Sequence, residues 1–167
     1  DVVRTAIAQM DGRTSVTSSV GEGTVVKLEL PITIATSRVM VVEAAGHLFG
    51  LPMDAVTESI RLPGDRIIRV KSNEGFTWRD RVVPICPLSE VLKLPVSPAA
   101  KTHLRLFLIV ESGNRIGAIE IDAIRNRLDV VLKPMQGMLS GARGYAGTTL
   151  LGDGRVLLVL DPKEILP

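Results

Sequence analysis

A mainly β chain, built as two similar small barrels behind a short helix and a β-hairpin, is predicted by three observations. Short apolar runs, five to nine residues long in the first series, recur from about residue 37 onward, separated by Gly, Pro, Asp and Asn. These runs fall into two series that match each other in order. Residues 1–31 follow a different pattern, helical first and alternating afterwards.

In DVVRTAIAQMDG the apolar Val3, Ala6, Ile7 and Met10 share one helical face, and Gly12 stands where a left-handed C-cap would end the helix. RTSVTSSV and TVVKLELP then alternate, with Val16, Ser18 and Val20 in the first and Val26, Leu28 and Leu30 in the second, around a Gly-Glu-Gly turn. Pro31 closes that unit, and ITIAT connects onward. The strand candidates of the first series are RVMVVEAA, GHLFGLP, AVTESIRLP, RIIRV, GFTWR and RVVPI; those of the second are HLRLFLIVES, NRIGAIEI, RNRLDVVLKP and TTLLGDGRVLLVLD. Between them Pro95, Ser97, Pro98, Ala99 and Ala100 mark an internal boundary. Many short strands with little helix predict small barrels or sandwiches.

VEAAGHLFGLPMDAV at 42–56 compares with VESGNRIGAIEIDAI at 110–124: each opens Val-Glu, carries Gly four residues before Gly, and closes Asp-Ala-Val or Asp-Ala-Ile. RVVPICPLSEVL at 81–92 compares with RVLLVLDPKEIL at 155–166 without a gap, at a constant offset of 74 residues. Strand chemistry alone yields apolar matches, whereas Gly, Asp-Ala and Glu in one order at both ends point to a duplication. Halves of about 36–95 and 103–167 should pack as a pseudo-twofold pair.

With 46% hydrophobic and 23% charged side chains the chain is globular in composition. Its 20 basic and 18 acidic residues form no like-charged run, and its five aromatic residues are too scattered to stack bases, so nucleic acid is not an expected partner. No apolar stretch reaches the roughly 18 residues of a membrane span, and membrane insertion is not expected. The single Cys86, among apolar neighbours, reads as a buried thiol in a reducing cytoplasm. The opening on Asp1 within a helical pattern suggests a piece of a longer protein.

Few residues suggest catalysis. His47 and His103 have no partner at metal-ligand spacing, and no metal site is expected. Ser140, in LSGARG, lacks the strand and glycine of a nucleophile elbow. Asp153 with Asp161, and Glu120 with Asp122, read as solvated carboxylates. GEGT differs, because glycine backbone approaches phosphates closely and the following Thr24 offers a hydroxyl; a plain hairpin explains the same residues.

Taken together, DVVRTAIAQMDGRTSVTSSVGEGTVVKLELPITIA resembles the end of the ATP-binding domain of the chemotaxis histidine kinase CheA family, in which a Gly-x-Gly-Thr hairpin ending Leu-Pro closes the nucleotide domain. The remainder resembles that family's CheW-like regulatory domain. The resemblance implies a remnant of an ATP-binding domain at 1–31 and, at 32–167, two five-stranded Src-homology-3-like barrels. It implies that Gly23 and Thr24 are an incomplete floor of a site for Mg-ATP, a cofactor of the parent kinase and not of this fragment. It implies a regulatory domain in a two-component phosphorelay, binding a CheW-type coupling protein and the cytoplasmic tips of chemoreceptors, with no enzyme activity of its own. The fragment would be a monomer and the parent kinase a homodimer. The alternative is a CheW-type scaffold or a hybrid kinase serving a pathway other than chemotaxis. Phe76 and Trp78, in a hairpin between charged stretches, either cover their own barrel or anchor a partner.

Overall fold

The structure, a computed structural model, describes residues 2–8, 12–30, 36–70, 73–95, 103–135 and 142–167. The chain divides into two compact units, residues 1–35 and 36–167.

In the first unit, helix α1 (Val2–Ala8) precedes the antiparallel pair β1 (Arg13–Ser19) and β2 (Gly23–Glu29), registered through Val16 opposite Val26. Gly21 and Gly23 both adopt positive φ, 84° and 108°, which is what a tight Gly-x-Gly turn asks of them. Gly12 is not left-handed, contrary to the capping expectation. Its N–H donates to the Ile7 carbonyl, and a Cβ there would stand 2.7 Å from the Glu29 carbonyl oxygen, so glycine is required by space rather than by φ.

The second unit runs β3 (Thr36–Ala44), β4 (His47–Pro52), β5 (Val56–Pro63), β6 (Ile68–Val70), β7 (Asn73–Trp78), β8 (Arg81–Pro87), α2 (Leu88–Val91), β9 (Leu104–Ser112), β10 (Arg115–Ile121), β11 (Ala123–Val131), β12 (Tyr145–Leu150), β13 (Val156–Leu160) and α3 (Pro162–Ile165). Two curled sheets result, one ordered β5-β9-β10-β8-β7-β6 and the other β11-β3-β4-β13-β12. They are the two predicted barrels. The sixth strand of the first sheet is the bent continuation of β5, which turns through a 3₁₀ segment at Gly64–Arg66 and closes onto β7. The second barrel closes the same way on a smaller scale: Lys133, just beyond β11, exchanges two 2.8 Å backbone hydrogen bonds with Thr148 of β12.

The duplication is visible strand for strand, with β3, β4, β5, β7 and β8 corresponding to β9, β10, β11, β12 and β13. The sheets, however, do not follow the sequence halves. The β3–β4 hairpin sits among β11, β12 and β13, and the β9–β10 hairpin sits among β5 to β8. Each half gives its first hairpin to the other's barrel.

Burial explains the continuous apolar runs of the two exchanged hairpins. Val39 and Val41 point into the second barrel, whereas Met40, Val42 and Ala44 join a central cluster with Leu108, Val110, Ile119 and Ile121 from the other sheet. Phe107 and Ile109 fill the first barrel. A strand buried on both faces needs no polar alternation. The helices α2 and α3 contribute Leu88 and Ile165 to the central cluster, and Leu166 just beyond α3 completes it. The repeated glycines have two separate reasons. Gly46 and Gly113 turn the equivalent hairpins at positive φ, while a Cβ on Gly50 or Gly117 would press on Val159 at 3.1 Å or on Leu166 at 2.6 Å.

Candidate functional site

The carboxylates singled out in the sequence all carry structural partners. Asp161 accepts the Lys163 N–H at 2.9 Å and so caps α3. Asp122 accepts the Ala45 N–H at 2.7 Å, stapling β11 to the β3–β4 turn. Asp153 is paired with Arg155 at 2.7 Å, and that guanidinium holds its carboxyl below the usual carboxylate range. Glu120 takes both arms of the Arg105 guanidinium, at 2.6 Å each.

That last pair belongs to a larger ionic cluster across the end of the first barrel. Arg105 of β9 also donates to Glu74 of β7 at 2.7 Å, and Arg69 of β6 reaches the same carboxylate at 3.4 Å. Side-chain exposure of 25–30% for Arg105, Glu74 and Glu120 keeps the cluster partly out of water. Hydrogen bonding to Arg105, partly offset by burial, lowers the Glu74 carboxyl below its ordinary value, and Glu120 raises the guanidinium.

Cys86 is buried, and desolvation pushes its thiol up to about 11, the opposite of an activated nucleophile. His47 and His103 are exposed. Ser140 lies outside the described residues. Among the described residues, no group of three or more His, Cys, Asp or Glu is placed to hold a metal ion, and no helix is long and apolar enough to cross a membrane.

Thr24 lies on an exposed strand, its hydroxyl 2.8 Å from that of Ser18 across the hairpin, while the Gly23 carbonyl accepts a longer bond from Ser18 at 3.5 Å. Phe76 and Trp78 are only 2% and 9% exposed. Phe76 packs on Phe107 with ring centroids 5.2 Å apart. The Trp78 indole N–H donates to Glu58 at 2.8 Å, and Arg79 lies over the ring, 4.4 Å from its centroid, while also pairing with Glu58 at 2.9 Å. The aromatic faces are therefore occupied by the chain itself, and Arg79 and Asp80 are what this turn shows to solvent.

The sequence reading did not single out the exposed aliphatic row on the second barrel. Leu150 and Val156 are cross-strand partners in β12 and β13, and continuing the Lys133–Thr148 register by two residues places Val131 of β11 beside Leu150. All three stand outward, 45%, 59% and 62% exposed in the order Val131, Leu150, Val156. Beside the row, Val156 and His47 line a half-open groove of about 430 Å³, with Tyr145, Leu94 and Leu158 among its other walls. On the first barrel the equivalent of Val156 is Val82, and its partner is Thr77. Alternation around the GDG turn carried this signal, but strand pairing was needed to join Val131 to it.

Paired curled barrels, an aliphatic outer row on one of them, and candidate carboxylates held in structural bonds are the features that define this class of fold. A family model described as the CheW-like domain matches residues 38–167, and the chain belongs to that family. Relatives include a chemotaxis protein CheA of Halobacterium salinarum, 34% identical over 96% of this chain and 24% of that protein. A sensor histidine kinase CheAY of Helicobacter pylori is 30% identical over 96% of this chain and 20% of its own length. The chemotaxis protein CheA of Bacillus subtilis is 27% identical over 99% and 25%. The chain thus spans about a quarter or less of these curated relatives, and it matches a C-terminal part of CheA-type proteins. Among solved structures, the scaffolding protein TtCheW of Thermoanaerobacter tengcongensis superimposes with a TM-score of 0.64 at 15% identity, covering 75% of this chain and 89% of that one. That likeness concerns the fold.

Proposed function

We propose that this chain is the coupling and regulatory part of a chemotaxis-type sensor histidine kinase, acting in the cytoplasm within a two-component phosphorelay. It binds a CheW-type coupling protein barrel to barrel and contacts chemoreceptor tips, so that receptor state sets kinase output. Membership of the CheW-like family and kinship with CheA proteins support a coupling role. The observation that carries the docking claim is the row Val131, Leu150 and Val156, because aliphatic side chains gathered on adjacent strands of a closed barrel gain by being covered. A related barrel offers a face of similar curvature and chemistry.

The test is a titration of the full chain against a CheW-type protein, with Leu150→Asp/Val156→Asp as the variant. The expected result is a complex that weakens at least tenfold in the variant while the melting temperature stays within about 2 °C, since outward positions carry little folding energy. Equal affinity would remove the row from the interface. No complex with the unaltered chain would remove the function.

A further inference from the structure

We propose that a second copy of this chain can supply either sequence half, so that the CheW-like unit has a strand-exchanged dimeric form in which each pair of barrels is built from two chains. The ground is the pairing pattern. Four strand pairings join the halves: β5 with β9, β8 with β10, β3 with β11, and β4 with β13. They hold both barrels together. Without its neighbour's hairpin, each half keeps β5 or β11 tied to its remaining strands only through the closure at β6–β7 or at Lys133–Thr148. The central cluster likewise takes Val42 and Leu51 from one half and Leu108 and Val110 from the other, all four fully buried.

A β9–β10 hairpin arriving from a second chain makes the same hydrogen bonds, in the same register, as one arriving from its own. What favours the closed monomer is therefore only the tether. A short flexible linker supplies an effective concentration on the order of millimolar, and less when it is stiff. Seven residues, 96–102, join the halves, so the advantage of the tether is bounded and a second chain at comparable concentration competes with it. Exchange of identical elements is a low-cost route to dimers, and this fold has already exchanged them once within a single chain.

The experiment uses two full-length variants that are each damaged in a different half. Val42→Asp/Leu51→Asp places two charges at fully buried positions of the first half, and Leu108→Asp/Val110→Asp does the same in the second. Each variant alone is expected to stay unfolded, with its single Trp78 emitting as a solvated indole. Refolded together in equal amounts, one chain's intact first half and the other's intact second half make one sound unit. About half of the tryptophan emission should then move to the wavelength of the native chain, at a mass of two chains. Mixing two variants damaged in the same half should recover nothing. A mixture no more folded than its separate components would overturn the proposal. So would a variant that folds alone, since the exchanged hairpins would then not be obligatory.

Discussion

The two barrels descend from one pattern and have been filled differently. The first holds Phe76, Trp78 and Phe107 in its interior and an Arg105–Glu74–Glu120 cluster across its end. The second holds Val39, Val41, Val130, Leu157 and Val159, and bears the outward row of Val131, Leu150 and Val156. Aromatic burial and a multidentate guanidinium favour a rigid body, whereas small aliphatics inside and exposed aliphatics outside suit a surface that is completed by a partner. Under the proposed function, the first barrel is the anchor and the second the contact face.

The largest expected difference between the barrels is in stability. Phe107 and Val39 occupy equivalent positions, and both are fully buried. Phe107→Ala should cost about 3–5 kcal/mol, and Val39→Ala roughly 2 kcal/mol, from the methylenes removed and the cavities left. Urea denaturation of the two variants checks the ratio. Equal losses would mean that the aromatic interior does not distinguish the first barrel. The docking variant completes the contrast, because Leu150→Asp/Val156→Asp should leave stability almost unmoved and weaken partner binding.

Nearly every strand of this fold was legible in the sequence, because turn residues bracket each apolar run and the Gly, Asp-Ala and Glu correspondences mark the repeat. The exchange of hairpins was not. A run such as Val39–Val42 or Phe107–Val110 shows that a strand is buried on both faces, but it carries no signature of which sheet receives it, since backbone pairing is blind to chain order. The short helices were also missed: LSEV and PKEI sit at the ends of strand-like segments, and four residues display no helical period. At the candidate site the carboxylates were visible only as residue types. Their partners, such as Arg105 for Glu120 or the Ala45 N–H for Asp122, come from strands brought together by tertiary pairing. Trp78 was recognised as a hairpin aromatic, while the Glu58 that fixes its indole lies 20 residues earlier.

A smaller effect sharpens the comparison from the ionic side. Arg105→Ala leaves Glu74 and Glu120 together without their main cation, and should cost about 1–3 kcal/mol after allowance for their partial exposure. The pH dependence gives the variant a second signature. Glu74 has a folded-state pKa below its ordinary 4.5, so its contribution is fully present above that value and is lost as pH falls below it. Stability of the native chain should therefore drop on acidification below about pH 4.5, with part of that slope missing in Arg105→Ala. Unchanged slopes in denaturation series at pH 3 to 6 would show that the cluster contributes to shape and not to stability.

The smallest effect concerns the hairpin of the first unit, which lies outside the comparison of the barrels and tests whether anything but docking is at work. A nucleotide site needs several convergent groups for base, ribose, phosphates and Mg²⁺. Gly23 and Thr24 contribute a turn and one hydroxyl, and that hydroxyl is already bonded to Ser18 on an exposed strand. Calorimetric titration with Mg-ATP should therefore give a dissociation constant weaker than about 100 μM, and Thr24→Ala should leave it unchanged while costing the hairpin at most about 1 kcal/mol. Binding at or below that concentration, lost in Thr24→Ala, would mean that residues 12–30 keep a working nucleotide floor, and the chain would then have to be read as more than a docking module.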